Sequence, residues 1–309
     1  MENKKDYSKK GGYYKKGNAH SDKRGNSYGD RQNRDYAKRD YTKRDERANI
    51  TDLEASLEGG IHGEYENGAV VGRNAVRELL KSGRDIDKIM VLRGEREGSI
   101  VVLVAEAISR KIPVIEVEKA KLDELSGFAP HQGIVAMAAE KEYSTIEDIL
   151  EIARERGEAP LIAISDGITD PYNLGALIRC AEGAGAHGLI IPKRRAVGLT
   201  PLVTKASAGA IEHLAIAKVT NIAQAIDKLK EEGVWVFAAE AGGTDYHESD
   251  FKGPCAIVFG SEGDGISKLV MSKCDFVTSI PMYGKVNSLN VSTAAAVLLS
   301  EAAYVQRKK

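Results

Sequence analysis

The chain has 309 residues, 42% of them hydrophobic, which is enough length and apolar content for two packed domains. Its formal net charge of -1 hides an asymmetry: residues 1–50 carry 15 Lys/Arg against 8 Asp/Glu, so a basic segment of net +7 precedes an acidic body. Cys180, Cys255 and Cys274 lie far apart without C-x-x-C spacing, which argues against disulfides or zinc and for a reducing cytoplasm, and no run of about 18 apolar residues or apolar leader suggests a membrane span or export.

Residues 1–66 read as a disordered basic tail and linker. The first 50 hold Tyr7, Tyr13, Tyr14, Tyr28, Tyr36 and Tyr41, half of the 12 tyrosines, and the repeat RDYAKRDYTKRDER from Arg34 to Arg47. Aliphatic residues are almost missing there, so burial cannot offset the entropy of ordering. Basic residues interleaved with aromatics suit phosphate neutralisation and base stacking, and a merely solubilising tail fits equally well.

Regular patterning begins at Val70. VVGRNAVRELLKSG reads as a helix, KIMVL as a strand, SIVVLVAEAISRK as a helix, PVIEV as a strand, KLDELSG as a short helix and GIVAMA as a third strand. Alternation of this kind over residues 67–140 predicts a small α/β domain. STIEDILEIARERGEAP reads as a charged helical connector spanning 141–160.

Residues 161–309 repeat strand and helix more strictly. PLIAISD, HGLIIP, HLAIAKV, VWVFAAE, PCAIVFG and DFVTSIP are the strands, and runs as apolar as AIVF point to a parallel sheet covered on both faces. Trp235, flanked by valines, reads as core. GAGAHG, 183–188, matches G-x-G-x-x-G, but it follows a helix and precedes a strand, so it reads as a helix C-cap and turn rather than a phosphate cradle. His131 in PHQG reads as a loop terminator. No P-loop, G-x-S-x-G or H-E-x-x-H occurs, and the six histidines are scattered.

Ligands of such sheets sit beyond the C-terminal strand ends. Each of the loops DGITDPYNLGALIRC, FGSEGDGIS and IPMYGKVNSLNVS follows a strand, feeds a helix and concentrates Gly, Asn, Ser or Glu. Taken in that order they resemble the motifs of the SpoU/TrmH class of SPOUT RNA methyltransferases: Asn173, Gly175 and Arg179 in the first; Gly260, Glu262 and Gly263 in the second; Ser288, Leu289, Asn290 and Ser292 in the third. VVGRNAVRELL and FAPHQGIVA resemble the RNA-binding module of the RlmB branch, which methylates a guanosine 2'-oxygen in large-subunit ribosomal RNA.

The resemblance implies a trefoil-knotted α/β domain that binds S-adenosyl-L-methionine without a metal, acts on ribosomal RNA and forms a homodimer in which the site is completed across the interface. It implies Gly260, Ile280 and Leu289 as cofactor contacts, with Gly260 leaving room for the ligand. It implies Arg179 on the target phosphate and 2'-oxygen, Asn173, Ser288 and Asn290 as positioning groups, and Glu262 holding a neighbouring loop or arginine. Asn287 and Ser288 also suit N-caps of the final helix. A transfer-RNA 2'-O-methyltransferase and an inactive ribosome-assembly factor on the same fold stay open at this point.

Overall fold

The computed structural model describes residues 68–94 and 98–308. The reading of residues 1–66 as a disordered basic tail lies outside the described residues. The first difference from the sequence reading is at Val70: Ala69–Val71 is a strand, β1, and the helix starts only at α1, Arg73–Ser82. Gly72, at φ 97°, separates them with a backbone that a helix cannot include. There follow β2 (Ile86–Leu92), α2 (Ser99–Ser109), β3 (Val114–Val117), α3 (Lys119–Leu125) and β4 (Ile134–Ala138). The strands form a mixed sheet in the order β1-β4-β2-β3, in which only β2 and β3 run parallel. Val76, Leu79, Ile89 and Leu103 fill one face of this sheet, and Leu122, Leu125 and Val135 the other.

The charged stretch after β4 forms α4, Ile146–Arg156, closed by a Thr145/Asp148 capping box and by Gly157 in the left-handed conformation. Its apolar stripe, Ile146, Ile149, Leu150 and Ala153, is buried on a second sheet. That sheet contains β5 (Leu161–Asp166), β6 (Gly188–Pro192), β7 (Ala215–Val219), β8 (Trp235–Asp245), β9 (Cys255–Gly260) and β10 (Phe276–Ser279). All the strands are parallel, in the order β10-β8-β9-β5-β6-β7. The helices of this part are α5 (Pro171–Gly183), α6 (Pro201–Ala206), α7 (Ile222–Glu231), α8 (Lys268–Met271) and α9 (Val291–Arg307).

Successive residues of β5 divide between the faces as the period of two requires. Leu161 and Ala163 join α5 and α9, whereas Ile162 and Ile164 join α4 and α7. Leu298 and Leu299 of α9 are 1% and 0% exposed, and each contributes about 1.5–3 kcal/mol of burial to holding that helix down. Trp235 is not core: it is 54% exposed, with its ring 5.6 Å from that of Phe276 on the edge strand β10. Its valine neighbours Val234 and Val236 are the buried ones.

The first sheet's module meets the segment after α6 through charged pairs. Arg84 reaches Glu212 at 3.2 Å, with side-chain exposures of 16% and 1%, and His213 reaches Glu78 at 2.9 Å. Burial holds the Arg84 guanidinium below its ordinary range.

Candidate active site

Asp166, the last residue of β5, pairs in register with Gly260, the last of β9. The chain leaves β5 for β6 on one side and leaves β9 for β10 on the other. The two loops therefore start side by side at the point where the connections diverge, which is where a parallel sheet opens a crevice.

Into this crevice the sequence sends three segments. In the first, Asp170 caps α5 by accepting the Tyr172 N–H at 2.7 Å, and Pro171 occupies the first helical turn. This places Asn173 in the first turn, 8% exposed. Gly175 faces α6, where a Cβ would collide with Ala206, so that glycine serves helix packing.

The second segment is a tight turn, with Ser261 and Gly265 exchanging backbone hydrogen bonds of 3.1 Å in both directions. It folds back over Gly260, where a Cβ would collide with the backbone of Gly265 and Ile266. Gly260 does line the cavity described below, but the space it leaves is used by the protein's own chain. The expected reason, room for a ligand, is corrected accordingly.

The third segment runs from Ile280 to α9. Its cap is Asn290, not Asn287 or Ser288: the Asn290 Oδ1 accepts the Ser292 N–H at 2.9 Å and the Ser292 hydroxyl at 2.5 Å. The Asn290 Nδ2 donates to Asn173 Oδ1 at 3.0 Å and to Glu262 Oε1 at 2.6 Å. One amide thus joins residues of all the segments. Its orientation is fixed by chemistry, because a carboxylate can only accept and a backbone N–H can only donate. Glu262 was expected to hold a loop or an arginine, and its partner is Asn290. Among the described residues the Asn173 amide nitrogen makes no hydrogen bond, which leaves it free to donate.

Beside this cluster lies a cavity of about 490 Å³, within the range of small-molecule sites. Ile280, Leu289, Met282 and Leu298 give it apolar walls, and Ser261, Ser279 and Ser288 give hydroxyls. Glu240 supplies a carboxylate that sequence reading missed. It ends up there because the β8–β10 register shifts between Val277, opposite Ala238, and Thr278, opposite Thr244. The intervening stretch of β8 bulges, and Gly242 at φ 80° and Gly243, where a Cβ would press on Val277, permit it. The Gly-Gly pair in AAEAGGTD was the available signal.

Arg179 is not brought to the cluster. It follows Asn173 by six residues on α5, which turns it to a different face, and it is exposed with no hydrogen bond or ion pair among the described residues. Ser288 and Leu289 lie on the cavity wall, as do Gly260 and Ile280. The helix and turn read from GAGAHG are present, with Ala184 as the cap and Gly185 at φ 73°.

Thiol chemistry is not supported. Burial pushes the Cys255 thiol up to about 12 and, with help from Asp275, that of Cys274 up to about 11. Burial also raises the Cys180 thiol, against the pull of Arg179. Among the described residues no cluster of His, Cys, Asp and Glu could hold a metal ion, and no helix is long and apolar enough to cross a membrane.

Known proteins resemble the chain in sequence and in fold. The model of the SpoU rRNA methylase family matches residues 160–300, and that of the RNA 2'-O ribose methyltransferase substrate-binding domain matches residues 69–144. A Staphylococcus haemolyticus protein assigned as a TrmH family tRNA/rRNA methyltransferase is 46% identical over 245 residues, 79% of this chain and 97% of its own. A crystal structure of an RNA 2'-O ribose methyltransferase superposes with a TM-score of 0.63 at 26% identity, over 77% of this chain and 88% of that one. The SpoU methyltransferase AviRb from Streptomyces viridochromogenes, solved with S-adenosylmethionine, shares the fold with a TM-score of 0.63 at 24% identity, over 76% and 88% of the two chains.

Proposed function

The chain belongs to the SpoU/TrmH family of RNA 2'-O-ribose methyltransferases, and from that premise we propose that it uses S-adenosylmethionine to methylate a guanosine ribose in large-subunit ribosomal RNA. The observation that carries the reading is the Asn290 amide, which ties Asn173 and Glu262 together at the mouth of a cavity with apolar walls and a carboxylate. That lining suits a nucleoside: apolar side chains take the base, while Glu240 accepts from ribose hydroxyls. When bound, S-adenosylmethionine supplies an electrophilic methyl group on a sulfonium centre.

The chain's own part is alignment and charge. The free Asn173 amide nitrogen and the Ser288 hydroxyl orient the ribose, and Asn290 holds Asn173 in place, with Glu262 bracing Asn290. Arg179 donates to the target phosphate and to the 2'-oxygen as charge develops on it. A guanidinium has only donors and no acceptor, so the 2'-hydroxyl proton leaves to phosphate or water rather than to the arginine. Arg179 does not line its own chain's cavity, and in this reading the active form is a homodimer in which each Arg179 serves the partner's site. A trefoil-knotted path for the third segment belongs to the same reading.

Mapping 2'-O-methyl groups in ribosomal and transfer RNA from cells with and without the protein tests the substrate. Loss of one guanosine methyl group in large-subunit RNA is the expected result, and a change confined to transfer RNA would refute it.

A further inference from the structure

The turn Gly127–Gly133, between α3 and β4, combines features that packing and local backbone preference do not explain together. Phe128 is 81% exposed and sits at φ 60°, directly after Gly127 at φ 55°. A bulky side chain in left-handed backbone is disfavoured, and Gly or Asn is the usual occupant. Burial of the ring would offset this, yet the ring is in water.

The turn is also held rigidly. The Phe128 N–H donates to the Asp123 carbonyl at 2.7 Å and the Ala129 N–H to Ser126 at 3.0 Å. On the far side His131, 7% exposed, accepts the Gly133 N–H on Nδ1 at 3.0 Å. Its ring proton is therefore on Nε2, which donates to Asp123 Oδ1 at 3.2 Å. Gln132, itself at φ 54°, accepts the Arg73 backbone N–H on Oε1 and the Arg73 Nε–H on its carbonyl, each at 3.0 Å. Arg73 has no acidic partner among the described residues, so its charge is fixed in position and not neutralised.

We propose that this turn is a stacking element for unpaired RNA bases, with Phe128 as the platform and Arg73 contacting the adjoining phosphate. The inference rests on the RNA substrate of the proposed function and names how the substrate-binding module engages it. A rigid exposed ring, on the same turn whose Gln132 holds an uncompensated guanidinium, matches the face of a nucleobase and its phosphate. In a duplex those faces are occupied by neighbouring bases, so the element selects single-stranded segments. A strained exposed residue on a braced turn is also how backbone strain persists at sites of contact.

The test uses the full chain and fluorescence anisotropy with an unstructured single-stranded RNA oligonucleotide and with a duplex of the same sequence. Phe128→Ala is expected to weaken single-strand binding about 5- to 150-fold, the range that alanine substitution at stacked bases spans, with little change for the duplex. Phe128→Trp is expected to hold wild-type affinity. Phe128→Gly should lose affinity like the alanine variant while melting at a higher temperature, since glycine relieves the left-handed backbone; this separates lost stacking from lost folding. Arg73→Gln should reduce the slope of log affinity against log salt by about 0.7. Single-strand binding by Phe128→Ala within twofold of wild type overturns the proposal, and so does unchanged RNA affinity with an altered oligomeric state, which would make Phe128 a protein contact. A wild-type protein that stacks RNA through Phe128 but methylates none would refute the proposed reaction and leave this element standing. Methylation by Phe128→Ala with wild-type KM for RNA would do the reverse.

Discussion

Asn290→Asp separates the two tasks of the residue that joins the site. As an N-cap Asp equals Asn, so the hydrogen bond from Ser292 N–H survives and the negative charge suits the helix N-terminus. The donor side does not survive: the bond to Asn173 is lost, and the 2.6 Å bond to Glu262 becomes a contact between carboxylates. Losing a hydrogen bond to a charged group costs about 1.5–3 kcal/mol. Repulsion at this exposed position adds roughly 1 kcal/mol, near the water limit. The cluster is thus destabilised by about 2.5–4 kcal/mol while the helix stays capped. Like charges raise the pKa of one of the pair above its unfolded value, so the penalty is present at high pH and disappears as pH falls through the raised value. Single-turnover methylation by Asn290→Asp should be about 10²-fold slow at pH 8 and should recover on acidification relative to wild type, and amide exchange over 291–294 should stay slow. Asn290→Ala should lose both rate and protection. Near-wild-type turnover by the Asp variant from pH 6 to 9 would refute the argument, as would a rate that falls further than wild type on acidification.

Glu240→Ala should weaken S-adenosylmethionine binding about tenfold in calorimetry while leaving RNA affinity unchanged, as the loss of one charged acceptor implies; unaltered cofactor affinity would remove Glu240 from the site. Arg179→Lys should be nearly as slow as Arg179→Ala, because a point charge cannot reproduce two directed donors; mixing the Arg179→Ala and Glu240→Ala proteins should restore part of the activity if each arginine serves the partner's cavity, and no restoration would refute a shared site. Glu212→Gln leaves Arg84 buried without its counter-charge and should cost on the order of 3 kcal/mol in urea unfolding, and a loss below about 1 kcal/mol would show the pair to be dispensable. His187, desolvated beneath Leu161 and Glu158, has its pKa lowered, chiefly by that burial, so folding favours the neutral ring; its contribution to stability is present above the unfolded value near 6.5 and is lost as pH falls below it, and His187→Gln should flatten the acid limb of the urea midpoint against pH.

The sheet was legible because apolar runs such as those of β5 and β9 have no other stable use in a chain of this composition. The motif loops were legible because polar residues between such runs stand out. Less visible was what each polar residue touches. Asn290 and Ser288 are both short and polar ahead of a helix, and only the path of the third segment decides which one caps α9. Trp235 between valines carries the pattern of a core strand, and the edge position of β10 that exposes it is a matter of strand order, which periodicity does not encode. Glu240 depended on a register shift that local pattern does not carry. Gly260 stands out in the sequence as room for a ligand, whereas the group that approaches it is the chain itself. A Gly260→Trp variant would therefore perturb the turn before it tested any ligand.

The Asn290 junction also sets a time order on the appearance of the site. Asn173 and Glu262 are 117 and 28 residues upstream of the amide that joins them, and the helix that fixes this amide is built from residues 291–307. On a ribosome, the sheet can be synthesised through β10 while Asn173 and Glu262 remain unconnected. They come into register only after the following helix has emerged and buried Leu298 and Leu299. A nascent or prematurely terminated chain that folds its sheet but lacks this helix can present an RNA-binding surface with no assembled centre behind it.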